Sequence, residues 1–387
     1  MPTMRSGVLT TQNIQTELHE RQIAREVFLR EANIAPIHAM LQAFATERAT
    51  QFKVEWAEDQ IVPWTDAINK NGGYTTETTL IVDNEDFFNV DDYVKVLRTG
   101  EIMGPITSIS AGGSTITVGN RGAGETTQAS INDDDVLLIL RGNIKEAGDA
   151  AEAINTIPSM DYNYLERFSQ SVKVSDTLDN VNLYTGSERV RLRTKKFIEH
   201  RESIELDVLD GERGIDNTSA TGPRLLMRGV LKRITTNVTS ISVGVGGTKT
   251  FTEEQWNDWL RTVYTYGGNN KVVFASGEVL ARIAQFGRNT LQTRPADKTL
   301  GMAVTTYMTP FGDVSLVHHR FLTSQYLKDW WAICLDLSKI DWMPLIPTRL
   351  KPGIQPDYAH YIWDEIYTEA SLRMPNETAH GVFKVVE

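Results

Sequence analysis

Ser187–Gly211 reads SERVRLRTKKFIEHRESIELDVLDG, and the rest of the chain is best read outward from it. Ser187 stands where a helix cap belongs, Glu188 suits the positive N-terminal end, and Gly211 suits a left-handed C-cap. Val190, Phe197, Ile198, Ile204, Val208 and Leu209 define an apolar face. Arg189, Arg191, Arg193, Lys195, Lys196, Glu199, Arg201, Glu202 and Glu205 cover the other faces. Two dozen residues at about 1.5 Å each give a helix of about 35 Å. That length predicts a spine around which other elements pack.

Upstream, Phe52–Asp59 (FKVEWAED) alternates with period two, the mark of a strand with one wet face, and Pro63-Trp64 ends it. Tyr162–Val181 holds a second extended stretch, Phe168–Val174, with the same alternation. Between them the style changes. TTLIVDN, DYVKVLRTG, GPITSISAGGSTITVGNRG and DDVLLILRG are short strands separated by turns, with Asp83-Asn84 and Gly112-Gly113 at tight ones. This predicts a compact β module at 76–142, inserted into a long two-stranded hairpin. Its private core would be Leu80, Val94, Val96, Ile109, Ile116, Leu138 and Leu140. Residues 143–160, containing IKEAGDAAEAINTI, read as helical. Asn13–Ala35 reads as a mostly polar helix whose ragged stripe (Ile14, Leu18, Ile23, Val27, Phe28) needs another surface to lie against. After Pro36 a short apolar helix carries Ile37, Met40, Leu41 and Phe44 at helical spacing.

Downstream, residues 212–250 are rich in Gly, Thr, Ser and Asn and read as loop. Phe251–Tyr266 reads as an amphipathic helix capped by Thr252 and stopped by Gly267-Gly268. The strand Lys271–Ala275 and the helix Gly277–Phe286 complete an α/β layer. Strands then close the chain at Val314–Val317, Trp330–Leu335, Tyr367–Met374 and Gly381–Val386.

Acidic residues number 50 against 39 basic ones, a net charge of -11. Such a surface repels phosphate at long range, which argues against dedicated nucleic-acid binding while suiting an inner wall that encloses nucleic acid without holding it. The single cysteine, Cys334 in WWAICL, excludes an intrachain disulfide, reads as a buried small hydrophobe and suits a reducing cytoplasm. The first 22 residues contain no apolar core, and no run of about 18 apolar residues occurs, so neither a signal peptide nor a membrane span is expected.

Motifs that carry chemistry fail on inspection. GVGGTKT (Gly244–Thr250) has Thr248 where a phosphate loop needs glycine before Lys249. GNRGAG (Gly119–Gly124) has no helix after it. Asp133-Asp134-Asp135, with Glu125 or Asn132, lacks the spacing of a calcium loop and reads as a solvated turn. His318 and His319 are adjacent on a strand and face opposite ways. Glu253-Glu254 suits a helix N-terminus. No catalytic, cofactor-binding or metal-binding residue is assigned, and the chain is not expected to be an enzyme.

The order of segments says more: polar arm, hairpin with a β insertion, spine helix, α/β layer, closing strands. It resembles the α+β Hong Kong 97-like capsid fold of tailed phages. Within it, the chain resembles the SU-ten type of major capsid protein, which carries a β-rich insertion in its extended loop. FKVEWAEDQIVPW, NVDDYVKVLRTGE, ITVGNRGAGETTQASINDDDVLLIL, NYLERFSQSVKVSDT, IELDVLDGERG, TPFGDVSLVHHRFL and YTEASLRMPNETAHGVFKV carry the resemblance over residues 50–387. The family's acidic–His–Trp strand lacks its histidine here, Glu55 directly preceding Trp56.

The resemblance implies an N-terminal arm (1–50), an extended loop (51–75 and 143–182) and a β-rich insertion domain (76–142). It further implies a peripheral domain with the spine (183–214 and 311–387) and an axial domain (215–310). The implied function is that of a major capsid protein assembling as pentamers and hexamers into an icosahedral shell around packaged double-stranded DNA. Arm and loop would reach over neighbouring subunits. Trp56, Trp64 and Tyr164 fit either interface anchors or ordinary core. Implied partners are further copies of the chain, a portal, and scaffolding or decoration proteins, with assembly in the host bacterial cytoplasm and no membrane or cofactor. The competing readings are an encapsulin-like compartment shell and a β-rich carbohydrate-binding or hydrolytic phage protein.

Overall fold

A computed structural model of the chain describes residues 35–44, 47–110, 112–141, 153–181, 186–218, 222–243, 246–286, 304–326 and 328–386. The expected arm helix before Ala35 lies outside them. Two compact units emerge: Met1–Trp56 with Asp161–Glu387, and Ala57–Met160.

In the first unit the spine helix runs Glu188–Asp210, with differences at both ends. Ser187 occupies the cap position without a capping side-chain bond, and Glu188 pairs instead with Arg191. Gly211 has φ -57°, so it is no left-handed cap. A side chain there would strike the Asp207 carbonyl oxygen at 2.5 Å and the Met227 carbonyl oxygen at 2.6 Å, so the glycine serves a close backbone approach. The Gly229 N–H donates to the Gly211 carbonyl at 2.8 Å, locking that crossing. Ile204, Val208 and Leu209 are buried in a core with Ile37, Leu41, Phe168, Trp342 and Leu372. Val190 and Phe197, expected on the buried face, are exposed.

Strands flank the spine. Glu166–Ser175, Tyr361–Arg373 and Asp341–Lys351 form an antiparallel three-stranded sheet with Tyr361–Arg373 at its centre. Phe168, Val172 and Val174 are buried, as the period-two reading requires. The expected hairpin is corrected here. Lys53–Glu58 pairs with Ser159–Tyr164, whereas Phe168–Val174 joins the three-stranded sheet. Asp341–Lys351 is a strand that the sequence did not announce.

A six-stranded sheet forms the second layer, in the order Val238–Ser242, Gly381–Val386, Trp331–Leu335, Asn270–Ala275, Gly312–His318, Val304–Thr309. The helix Glu253–Val263 starts with a full capping box between Thr252 and Gln255. Its Trp256, Trp259, Leu260 and Val263 pack with Phe251, Val273, Cys334 and Phe383 in a second core. Val238–Ser242 corrects the loop reading of 212–250, because it pairs in parallel with Gly381–Val386 as the sheet's edge.

The unit Ala57–Met160 holds two sheets. One runs Thr65–Ala67, Val136–Leu140, Tyr93–Val96, Ile102–Met103; the other runs Thr79–Ile81, Thr115–Val118, Ile106–Ser110. The fold of this unit therefore uses Thr65–Ala67, upstream of Thr76. Leu80, Val94, Val96 and Ile116 are buried as expected, and Ile109 is partly so. Leu137 and Ile139 take the core places assigned to Leu138 and Leu140, which are only half-buried, so the strand's parity is shifted by one. The Arg141 guanidinium donates to the Pro63 carbonyl at 2.6 Å and the Phe87 carbonyl at 2.7 Å, and to the Val62 carbonyl at 3.4 Å; it also lies over the Trp64 ring. It clasps the strands that enter and leave the module. Residues 153–158 are irregular and Ser159 begins a strand, so the expected helix is not found there; residues 142–152 lie outside the described set.

Candidate functional site: the spine valley and exposed apolar segments

The spine helix and Asp341–Lys351 bound a valley in the first unit. Thr194, Ile198, Arg201 and Glu205 follow one another at steps of four, three and four, so they share one helix face. At Glu205 the helix Pro36–Phe44 settles into the valley. Every helix start exposes N–H donors, and a Ser, Thr, Asp or Asn side chain at the cap usually accepts one. This helix has Ala35 there, whose side chain can accept nothing. The cap comes from the spine. Glu205 Oε1 accepts the Ile37 N–H at 2.9 Å, and Oε2 accepts the His38 N–H at 2.8 Å. His319 Nε2 lies 2.8 Å from Oε1, and its Nδ1 accepts the Phe321 N–H, so Nε2 carries the proton and donates to the carboxylate.

The His38 ring is buried edge-on to Trp342, with no hydrogen-bond partner on either nitrogen. That burial pushes its pKa down to about 4, because a charged imidazolium there would lose its hydration. Nearer the helix start, Arg189 and Arg193 close on Asp364, which also accepts the Gly353 N–H. The Arg189 guanidinium, with Arg193 and that N–H, holds the Asp364 carboxyl well below the usual carboxylate range. Arg193 therefore anchors a buried carboxylate instead of standing on a free outer face.

Sequence motifs fall into structural roles. Lys249 faces Asp329 at 3.4 Å, and Gly246 takes a left-handed turn; Gly244 and Val245 lie outside the described residues. Arg121 of the glycine-rich turn is buried against Glu101 at 2.8 Å. Asp133 accepts the Lys70 N–H, while Asp135, expected in solvent, is buried and takes Arg98 at 2.6 Å and 2.7 Å. His318, the last residue of its strand, is exposed and His319 just after it is buried, so the two face opposite ways as expected. Among the described residues no three His, Cys, Asp or Glu side chains gather as a cation site. Trp56 is core, with Ala49, Val54, Leu165 and Met343, whereas Trp64 is exposed. Glu205 and His319 were missed as a pair. The signal for Glu205 was the cap-less Ala35, which obliges some distant acceptor.

Large apolar side chains stand free on the other unit. Ile61 is 87% exposed, Ile157 90% and Met160 66%. All three fall in the segments that lead into and out of the module.

A structure from Mycobacterium phage Cain matches with TM-score 0.51 at 8% identity, covering 98% of this chain and 99% of that one. One from Mycobacterium phage Bobi matches with TM-score 0.50 at 9% identity, covering 98% and 100%. At such identities the likeness speaks for the fold, which is Hong Kong 97-like. A comparison with curated proteins finds no match. The family model described as SU10 major capsid protein matches residues 8–387. With the spine, the closing sheets and the β-rich unit all inside that match, the chain belongs to the SU10 major capsid protein family and is a tailed-phage major capsid protein.

Proposed function

We propose that copies of this chain associate as pentamers and hexamers that tile an icosahedral shell enclosing packaged double-stranded DNA. The observation that carries this reading is the exposure of large apolar side chains: Ile61, Ile157 and Met160 on one unit, Val190 and Phe197 on the spine helix of the other. Single exposed apolar side chains are ordinary, but several in the two segments that flank the module suit contact with other copies, and many modest contacts between copies sum to a stable shell. In this reading the arm is 1–50 and the extended loop 51–75 with 143–182, which reach over neighbours. The β-rich insertion is 76–142, the peripheral domain 183–214 with 311–387, and the axial domain 215–310. The net charge of -11 supports an inner surface that lets DNA slide past instead of binding its sequence. A portal and scaffolding or decoration proteins join the shell, which assembles in the host cytoplasm. The chain's work is mechanical, with no catalytic step.

Electron microscopy of the purified chain tests this. Closed shells or five- and six-membered rings are expected, and the double substitution Ile61→Asp with Ile157→Asp should abolish them while leaving the melting temperature within a few degrees. A monodisperse monomer at high concentration would overturn the reading.

A further inference from the structure

Within the β-rich unit, Lys70–Gly73 forms a tight turn, closed by the Gly73 N–H donating to the Lys70 carbonyl at 2.9 Å. Gly72 takes φ +90° while Asn71 stays out of the positive-φ region, the pattern of a type II turn. Both residues are exposed, and a side chain built on Gly72 would meet nothing within 4 Å. Among the described residues nothing accepts the Gly72 N–H or binds the Asn71 carboxamide. Asn71-Gly72 is also the single Asn-Gly step in the 387 residues.

An asparagine carboxamide has one nucleophile always at hand, the backbone nitrogen of the next residue. A side chain on that residue crowds the nitrogen, and a hydrogen bond from its N–H holds it away; Gly72 presents neither obstacle. Its nitrogen attacks the Asn71 Cγ, the bond from Cγ to the amide nitrogen breaks, and the Gly72 proton leaves with that nitrogen as ammonia. Water then opens the cyclic imide at either carbonyl, giving aspartate or an isoaspartyl link. The turn is pinned on both sides. The Lys70 N–H donates to Asp133 Oδ1 at 2.7 Å, and Tyr74 and Ile131 exchange hydrogen bonds at 2.7 Å and 2.9 Å. Gly73 passes Ile131 so closely that a Cβ would lie 2.1 Å from its carbonyl oxygen. The isoaspartyl link inserts one extra main-chain atom between these anchors, and either product sets a new carboxylate beside the residue that Asp133 holds.

We propose that Asn71 is a site of spontaneous deamidation through a cyclic imide with Gly72, and that the isoaspartyl product unfastens the Tyr74–Ile131 bridge. The reaction needs only water and lies within one unit of one chain, so it stands or falls independently of how copies assemble.

Peptide mapping of the full chain aged at mildly alkaline pH is the test. Position 71 should gain one mass unit, take up the label when aged in heavy-oxygen water, and resolve into aspartyl and isoaspartyl forms on fragmentation. Its rate should rise with hydroxide and exceed several-fold the rates at Asn120 and Asn217, which are equally exposed but precede Arg121 and Thr218. Asn71→Gln should stop the change, because the longer side chain closes its ring more slowly. A folded chain that stays intact at 71 while the same chain in urea converts would overturn the proposal, since the turn would then protect the site. Hydrogen exchange at Tyr74 and Ile131 should rise several-fold in the aged protein and not in aged Asn71→Gln. Conversion at 71 that leaves this exchange unchanged would overturn the link to the bridge.

Discussion

Glu205 shows how one side chain can hold two distant stretches of a sequence together. It takes two backbone donors from the helix Pro36–Phe44 and one from His319, all away from water. Glu205→Ala strands those donors, each costing about 1–3 kcal/mol when left buried and unpaired. We expect a loss of about 3–5 kcal/mol in urea unfolding. Glu205→Gln keeps one acceptor and should lose about half of that. His38 adds a pH dependence with a definite sign. Its folded pKa of about 4 lies below the ordinary 6.5, so the unfolded chain takes up the proton first. The stability it guards is complete above pH 6.5, falls as pH drops through that window, and stops falling near pH 4. Glu166 works the opposite way. Burial, helped by the nearby Asp207 and opposed by the Met227 N–H, raises its pKa to about 7. Its share of stability is therefore full below the ordinary 4.5 and is lost as pH rises toward 7. His38→Phe should flatten the acid limb of a stability–pH curve, and Glu166→Gln the limb between pH 4.5 and 7. An unchanged curve in either variant would contradict the corresponding burial. At this scale the sequence was legible wherever a face alternates. Val136-Leu137-Leu138-Ile139-Leu140 is apolar throughout, so nothing in it says which alternate set points inward, and its parity is set only by the fold.

Among elements, the spine was readable because its polar breaks, charge and length agree on its bounds, yet neither cap works as expected and its faces were not legible. Arg193 looks like one of several solvent cations along the helix. Only the folded chain brings it to Asp364, more than a hundred residues on. Arg193→Glu should therefore cost about 3 kcal/mol by setting an acid against a buried acid, although Arg189 remains. Arg191→Glu disturbs only a half-buried pair between neighbours on the helix surface and should change stability by about 1 kcal/mol or less. Equal midpoints for the two variants in guanidinium would refute the clamp. The strand Asp341–Lys351 escaped the sequence reading for a related reason. Pro344 and Pro347 argue against a strand, and prolines are tolerated in one only at an edge or a bulge. This strand is the edge of its sheet, and its register shifts fall between Pro344 and Ile346 and between Ile346 and Arg349. The helix Glu253–Val263 carries a further hidden device. Lys271 is buried and donates to the carbonyls of Val263, Tyr266 and Ala379, closing the end of that helix. Lys271→Met fills similar space but leaves three acceptors bare, and should lower stability by about 2–4 kcal/mol.

For the molecule as a whole, the two units predict what can be cut apart. The β-rich unit needs Thr65–Ala67 as a strand and the bridges Ile68–Val82 and Tyr74–Ile131. A fragment 57–160 should fold alone, with dispersed amide signals in a proton–nitrogen spectrum, whereas 76–142 should not. Comparable dispersion from the shorter piece would show that the flanking strand is dispensable. The architecture was legible from the order of segments because each segment keeps one style over many residues. Partnerships were not, since pairings such as Lys53–Glu58 with Ser159–Tyr164 span about a hundred residues and leave no local trace. Arg141 gives this organisation a mechanical meaning. Its guanidinium ties the carbonyls of Val62 and Pro63 beside the backbone pairing of Thr65–Ala67 with Val136–Leu138, so a pull that separates the incoming from the outgoing strand meets those hydrogen bonds side by side, while its bond to Phe87 holds a segment inside the module. Bonds loaded in parallel break together at a high force, whereas bonds loaded in series give way singly at a low force. Tension between these two strands is thus shared between the clasp and the strand ladder beside it, and this unit's three-stranded sheet lies outside that path.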